Sequence, residues 1–167
     1  MEYLKSKRII IRPTIKADNQ LFIDFLFEPY FNAFASIDEI NPRSFDSFVT
    51  ATSISQGNHY FLTSVLLKSQ EPKGFIYVSQ QEEYILLGYF FNKDSQGHGY
   101  FKESMKSLIS HFYEENPHRQ IIILCYSKKI EDRDFFLSLG FRNNSPMIDN
   151  SPFLFLTLFG LTEKDGY

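Results

Sequence analysis

The residues with the clearest chemistry form one short run, Gln96-Gly97-His98-Gly99-Tyr100-Phe101-Lys102. It follows an apolar stretch that ends at Phe91, and a helical pattern starts directly after it. A strand, a glycine-bearing loop and a helix N-terminus, in that order, build an anion site. The first-turn N–H groups of a helix have no internal partner and point outward, and the helix dipole adds positive potential there. Glycines let the main chain approach a phosphate with no Cβ in the way. Residues 96–102 are therefore expected to grip a phosphate-bearing cofactor. Two familiar phosphate loops do not fit. A dinucleotide loop would need glycine where Lys102 stands, and no Gly-Lys-Ser/Thr closes a Walker loop.

The elements that must hold this loop can be read from periodicity. Residues 8–12 read as a strand with Ile in series and Pro13 as its stop. Asp18 can cap a helix whose apolar face is Leu21, Phe22, Phe25 and Leu26. Residues 30–41 read as irregular, and Asn41-Pro42 starts a second helix with Phe45, Phe48, Val49 and Thr52 on its buried face. Strands follow at 59–67, 74–79 and 84–91. A long helix spans 100–115, with Phe101, Met105, Leu108 and Phe112 in one stripe. The near-continuous apolar run 121–126 fits a central, doubly covered strand. A short helix at 131–139 stops at Gly140, and residues 153–159 form the last strand. The order β, α, α, β, β, β, α, β, α, β predicts an α/β fold in one domain over 1–167, with a mixed sheet and helices on both faces.

The bulk composition narrows the class. The chain has 167 residues, 43% hydrophobic and 22% charged, as a globular domain with a real core should. Its 19 Phe and 10 Tyr are expected to supply most of that core. The net charge of −3, without a basic run, argues against a general nucleic-acid binder and is compatible with a cationic amine as partner. The single cysteine, Cys125, permits no intrachain disulfide and no cysteine-based zinc site; no metal site is expected. No signal-peptide core and no membrane-length apolar run is present, so a cytoplasmic protein is expected. The aromatic last strand could pair across a dimer or lie in the core, which leaves the oligomeric state open.

The loop pattern Gln/Arg-x-x-Gly-x-Gly/Ala, here Gln96 to Phe101, resembles the acetyl-CoA pyrophosphate loop of the GNAT acetyltransferases. Gly88-Tyr89, the loop and Glu103 are similar to the RimJ/RimL-like branch, as are Arg8 to Pro13 followed by Asp18, Lys73-Gly74-Phe75-Ile76, and Phe135 to Arg142 with its Leu-Gly-Phe. The resemblance implies a mostly antiparallel sheet with one splayed parallel pair, between strands 84–91 and 120–126. It implies acetyl-CoA as cofactor, held through Phe91, Gln96, Gly97, His98, Gly99, Tyr100, Phe101 and Lys102, with Lys129 in reach of its phosphates. It implies transfer of the acetyl group to a primary amine, on a small molecule or a peptide, by direct attack in a ternary complex. Tyr126 is a candidate proton donor and Cys125 a candidate general acid or nucleophile, and Asp38 and Glu39 would recognise the acceptor's ammonium group.

Five positions depart from the family pattern. Phe101 replaces Gly or Ala, so its side chain must turn away from the pyrophosphate or the loop must shift. Phe136 stands where many members carry a tyrosine acid, Leu86 where the branch often carries Glu, Lys129 where Asn is common and Asp132 where Ser is common. These departures motivate the alternative of a non-catalytic acyl-CoA-binding module of the same fold, acting as a sensor or partner protein.

Overall fold

The Ile9–Ile11 run builds the second strand of a sheet that has eight strands among the described residues. The computed structural model describes residues 4–28, 58–145 and 152–160. Its strands are β1 (Leu4–Lys5), β2 (Ile9–Pro13), β3 (His59–Leu66), β4 (Pro72–Gln80), β5 (Tyr84–Phe91), β6 (Gln120–Tyr126), β7 (Arg142–Asn143) and β8 (Phe153–Leu158). The helices of the described residues are α1 (Asn19–Leu26), α2 (Tyr100–Glu115) and α3 (Ile130–Ser138), with short 3-10 turns at Lys16–Asp18 and Lys93–Ser95. The helix expected from Asn41-Pro42, and with it Asp38 and Glu39, lies outside the described residues.

Sheet order is β1-β2-β3-β4-β5-β6-β8-β7. Every neighbouring pair is antiparallel except β5 and β6. The parallel pair runs in register from Tyr84↔Gln120 to Leu87↔Ile123 and then stops. Among the described residues, β5 beyond that point pairs only with β4, as far as Phe91, and β6 only with β8, as far as Tyr126. The two central strands therefore splay apart toward their C-terminal ends.

Strand alternation sorts the core into two layers. Ile9, Ile11, Ile76, Val78, Leu87, Tyr89, Phe91, Ile123 and Cys125 face α2 and α3, joined by Met105, Leu108 and Phe112 of the expected α2 stripe. Phe61, Phe75, Tyr77, Phe90, Leu124 and Phe153 face the other way, against Leu21, Phe22 and Phe25 of α1. Cys125 and Tyr126 thus lie on opposite faces, as adjacent strand residues must. Gly74 has no room for a side chain: a Cβ would sit 2.6 Å from the Phe90 carbonyl oxygen and from the Phe91 ring, so the glycine lets Phe91 lie flat across β4.

Two local details differ from or sharpen the expectation. Asp18 occupies the cap position of α1, but its carboxylate makes no cap bond there. It turns back to the Arg12 guanidinium, the Thr63 hydroxyl and the Ile15 N–H, because a buried charged partner outcompetes a neutral helix end. Gly140 does end α3, at φ 99°. The Phe141 N–H reaches the Phe136 carbonyl at 3.2 Å and the Gly140 N–H reaches that of Leu137 at 3.1 Å, with the Phe136 and Phe141 rings packed at 5.7 Å. That is a Schellman stop with its hydrophobic contact, and it explains the Leu-Gly-Phe sequence.

Candidate functional site

The loop between β5 and α2 begins with a capped turn. The Asn92 side chain accepts from the Ser95 N–H at 3.0 Å, and the Ser95 hydroxyl donates to the Asn92 carbonyl at 2.6 Å. Gly97 and Gly99 then take left-handed φ values of 79° and 77°, which side-chain-bearing residues rarely adopt. The first intrahelical bond runs from the Glu103 N–H to the Gly99 carbonyl. None of the N–H groups from Gly97 to Lys102 makes a hydrogen bond of normal geometry among the described residues. A row of unpaired donors at a helix start, exposed at residues 96–99, is a cradle for an anion.

The cradle is braced from behind by the β1–β2 turn. Glu103 accepts from the Ser6 hydroxyl, the Arg8 N–H and the Arg8 Nε, each at 2.7 Å. Burial pushes the Glu103 carboxyl upward, but these hydrogen bonds from Ser6 and Arg8 outweigh it and hold the group below the usual carboxylate range. Arg8 also donates through Nη1 to the His98 carbonyl at 2.8 Å, and its guanidinium lies 4.8 Å above the Tyr100 ring. The His98 imidazole stacks on the same Tyr100 ring at 5.3 Å.

The gap left by the splayed strands opens beside this cradle. The Asn92 N–H bonds to the Lys73 carbonyl, so alternation along the ladder gives Gly88 and Phe90 to β4. The N–H and C=O groups of Tyr89 and Phe91 therefore point into the gap. On the far side the Ser127 N–H bonds to the Pro152 carbonyl, and the same alternation aims the backbone of Leu124 at the gap.

Three polar side chains meet on the α2/α3 side of the gap. The Tyr89 hydroxyl donates to Asp132 Oδ2 at 2.9 Å and lies 3.6 Å from Cys125 Sγ. Burial raises all three groups. It drives the Tyr89 phenol well above its ordinary value, aided by the nearby Asp132 charge, and it pushes the Cys125 thiol up to about 11. It also lifts Asp132, against the Tyr89 hydrogen bond and the charge of Lys129, which lower it. Cys125 and Tyr89 thus keep their protons near neutral pH, as donors rather than nucleophile or base.

A raised carboxylate makes a stability prediction. When the folded-state pKa exceeds the unfolded one, the folded protein holds more protons between the two. Stability then falls as pH rises through that window, and the penalty is complete above the folded pKa. Asp132→Asn keeps an acceptor for Tyr89 and removes the penalty. Its melting temperature relative to wild type is expected to rise between pH 3 and pH 7. A difference that does not change with pH would rule the explanation out.

Phe101 turns inward, as its size requires. Its ring packs on Tyr89 at 4.9 Å, Phe91 at 5.3 Å, Phe135 at 5.7 Å and Phe136 at 5.8 Å. Lys102 lies over the Phe135 ring, its Nζ 5.9 Å from the ring centre. Lys129 holds the cap position of α3, near Cys125 and Asp132. Tyr126 lies on the α1 face, half-buried against Phe153 at 6.4 Å. Phe136 is fully buried and Leu86 packs against the α1-side core. In the sequence, Tyr89, Arg8 and Glu103 stand inside motifs and Asp132 only as a departure from the family pattern. Their roles depend on contacts across 43 to 97 positions, which spacing cannot show.

Comparison with known proteins bears on this geometry. Residues 8–142 match the acetyltransferase (GNAT) domain family, a span that contains the loop, the gap and the Tyr89–Asp132 pair. The chain belongs to the GNAT acetyltransferase family. Members of this family generally take the acetyl group from acetyl-CoA. Solved GNAT-type structures share the fold: an acetyltransferase from Agrobacterium tumefaciens superposes at TM-score 0.69 with 17% identity, over 95% of this chain and 94% of that one. A GNAT acetyltransferase from Bacillus anthracis gives 0.67 with 15% identity, over 94% and 98%. The ribosomal-protein-S5-alanine acetyltransferase of Vibrio fischeri gives 0.64 with 11% identity, over 96% and 97%. No curated protein matches the chain in sequence. No helix of the described residues is long and apolar enough to cross a membrane.

Proposed function

We propose that this GNAT protein transfers the acetyl group of acetyl-CoA to a primary amine, which attacks directly in a ternary complex. The observation that carries the reading is the run of N–H groups from Gly97 to Lys102 that have no normal hydrogen bond among the described residues, at the mouth of the gap between β5 and β6. A pyrophosphate presents oxygens that suit such a row of donors. The gap-facing backbone groups of Tyr89 and Phe91 suit the amides of a pantetheine arm, which would lie there as a strand would. Bound acetyl-CoA supplies a thioester, an acetyl group already activated for transfer.

The chain's own residues then have limited work to do. Fixing the two reactants in the gap supplies much of the rate, and a backbone N–H on β5 can stabilise charge developing on the carbonyl oxygen. The amine must reach the site without its proton, since an alkyl ammonium (pKa ~10) has no lone pair. Cys125 on one face and Tyr126 on the other are the candidates to protonate the departing thiolate. Asp38 and Glu39 remain the proposed contacts for the acceptor's ammonium group.

Resemblance to the RimJ/RimL-like branch supports a protein N-terminal amine as one acceptor class. The name of the Vibrio fischeri neighbour points the same way. Polyamines, amino sugars and amino acids complete the panel to be screened. We place the protein in the cytoplasm as a single domain over 1–167.

The test is calorimetric titration with acetyl-CoA and CoA, then an assay of thiol release over the amine panel. Micromolar affinity and thiol release above background are expected. No binding of either compound would overturn the reading. Binding without turnover on any amine would favour the non-catalytic module, for which the burial of Phe136 in place of a tyrosine speaks.

A further inference from the structure

The bond from Arg8 to the loop has a geometric consequence. In a trans peptide unit the C=O and the N–H point in opposite directions. Arg8 Nη1 holds the His98 carbonyl oxygen at 2.8 Å. The Gly99 N–H, which belongs to the same peptide plane, must therefore point away from Arg8, toward the side of the loop that the N-terminal turn leaves open. The plane joins His98 to the left-handed Gly99, whose missing Cβ leaves that side of the plane free to rotate. A flipped plane would put the His98 carbonyl oxygen, an acceptor, among the donors that an anion needs.

We propose that Arg8 is a positioning residue for the phosphate cradle: held by Glu103, it fixes the His98–Gly99 peptide plane with its N–H presented to the ligand. The proposal rests on the reading of this loop as the CoA phosphate site. Arg8 suits the task because its fork is anchored twice. Nε is bound to Glu103 Oε2 and Nη1 to the His98 oxygen, while the guanidinium face lies on Tyr100. Glu103 is itself fixed by Ser6 and by the Arg8 backbone. Nη2 covers Gly99 from behind, 3.3 Å from where a Cβ would stand. A lysine has one compact ammonium and cannot span both anchors in the same geometry. The latch thus ties ligand binding to the β1–β2 turn, some ninety residues away in sequence.

The test uses the full chain in three forms: wild type, Arg8→Gln and Arg8→Lys. Each is titrated with CoA, and the Gly99 amide is followed by 15N NMR with selective glycine labelling. In the wild type, CoA is expected to move the Gly99 amide proton strongly downfield, as a bond to phosphate does. In Arg8→Gln the affinity is expected to fall about ten-fold and the Gly99 shift to collapse. Arg8→Lys, which can still donate to the His98 oxygen, is expected to recover part of both. Thermal melts show whether each variant is folded; if Arg8→Gln is not, Glu103→Gln, which frees the guanidinium without removing it, is expected to reproduce the smaller Gly99 shift. A folded Arg8 variant with wild-type affinity and a wild-type Gly99 shift overturns the proposal. Failure of the wild type itself to bind CoA would instead remove the reading on which it rests, and the two failures are told apart by the wild-type titration.

Discussion

Gly97→Asp is expected to weaken CoA binding at least a hundred-fold while leaving the protein folded. Gly97 has φ 79°, and a Cβ built on it meets no atom within 4 Å. Aspartate is among the few residues that tolerate the left-handed region, so the strain on folding is about 1 kcal/mol. The new carboxylate stands beside the unpaired N–H groups, where it competes for the donors and repels a phosphate. Two unit charges about 4 Å apart interact by roughly 4 kcal/mol at an effective dielectric of about 20. A hundred-fold loss needs only about 2.8 kcal/mol, which leaves room for solvent screening at this exposed loop. Gly97→Asn has the same shape and the same backbone tolerance without the charge, and its loss is expected to stay within about ten-fold. Calorimetry on the two variants beside wild type, with a thermal melt of each, checks the claim. Wild-type affinity in Gly97→Asp would mean that the phosphates do not lie at this loop.

The loop could be read from sequence because its signal is local. Two glycines, an approaching strand and a following helix lie within a short window, and the geometry of each is set by its neighbours. The α2 stripe was legible for the same reason, since Met105, Leu108 and Phe112 recur at the helical period and all three are buried. So was the stop at Gly140, where only a left-handed residue lets the Phe141 N–H fold back onto α3. What was not legible depends on partners far away. The strands β1 and β7 have two residues each and exist because β2 and β8 offer them a ladder. The splay between β5 and β6 was implied by resemblance alone; no pattern inside 84–91 announces that pairing ends at Leu87. Tyr89 and Asp132 meet only because α3 returns over the gap, and the inward turn of Phe101 follows from the aromatic space that Phe91, Phe135 and Phe136 enclose. Asp18 shows the limit most clearly: a correct helix-start signal concealed a buried ion pair.

That ion pair carries the second large effect. Asp18 is 1% exposed. It takes both terminal nitrogens of Arg12, at 2.9 and 2.8 Å, together with the Ile15 N–H at 2.9 Å and the Thr63 hydroxyl at 2.8 Å. The Thr63 hydroxyl lies 3.0 Å from that of Thr14, so one carboxylate gathers β2, β3 and the entry to α1. Asp18→Ala leaves the Arg12 guanidinium buried without its counter-charge and the other donors without an acceptor. Removing one partner of a buried pair costs about 3–5 kcal/mol, and for a chain of this length that lowers the melting temperature by roughly 10–15 °C. The double replacement Arg12→Met/Asp18→Leu removes both charges and is expected to recover most of the loss, because the penalty comes from the orphaned group more than from the missing attraction. Denaturant unfolding of the two variants and wild type measures the difference; a single variant as stable as wild type would show that the pair contributes nothing. The effect should be confined to stability. Asp18 anchors α1 on the face of the sheet that carries Phe90, whereas the cradle and Phe91 lie on the other face. At temperatures where Asp18→Ala remains folded, its affinity for CoA is therefore expected to match wild type, and a change there would mean that the two faces of β5 are coupled through Phe90 and Phe91.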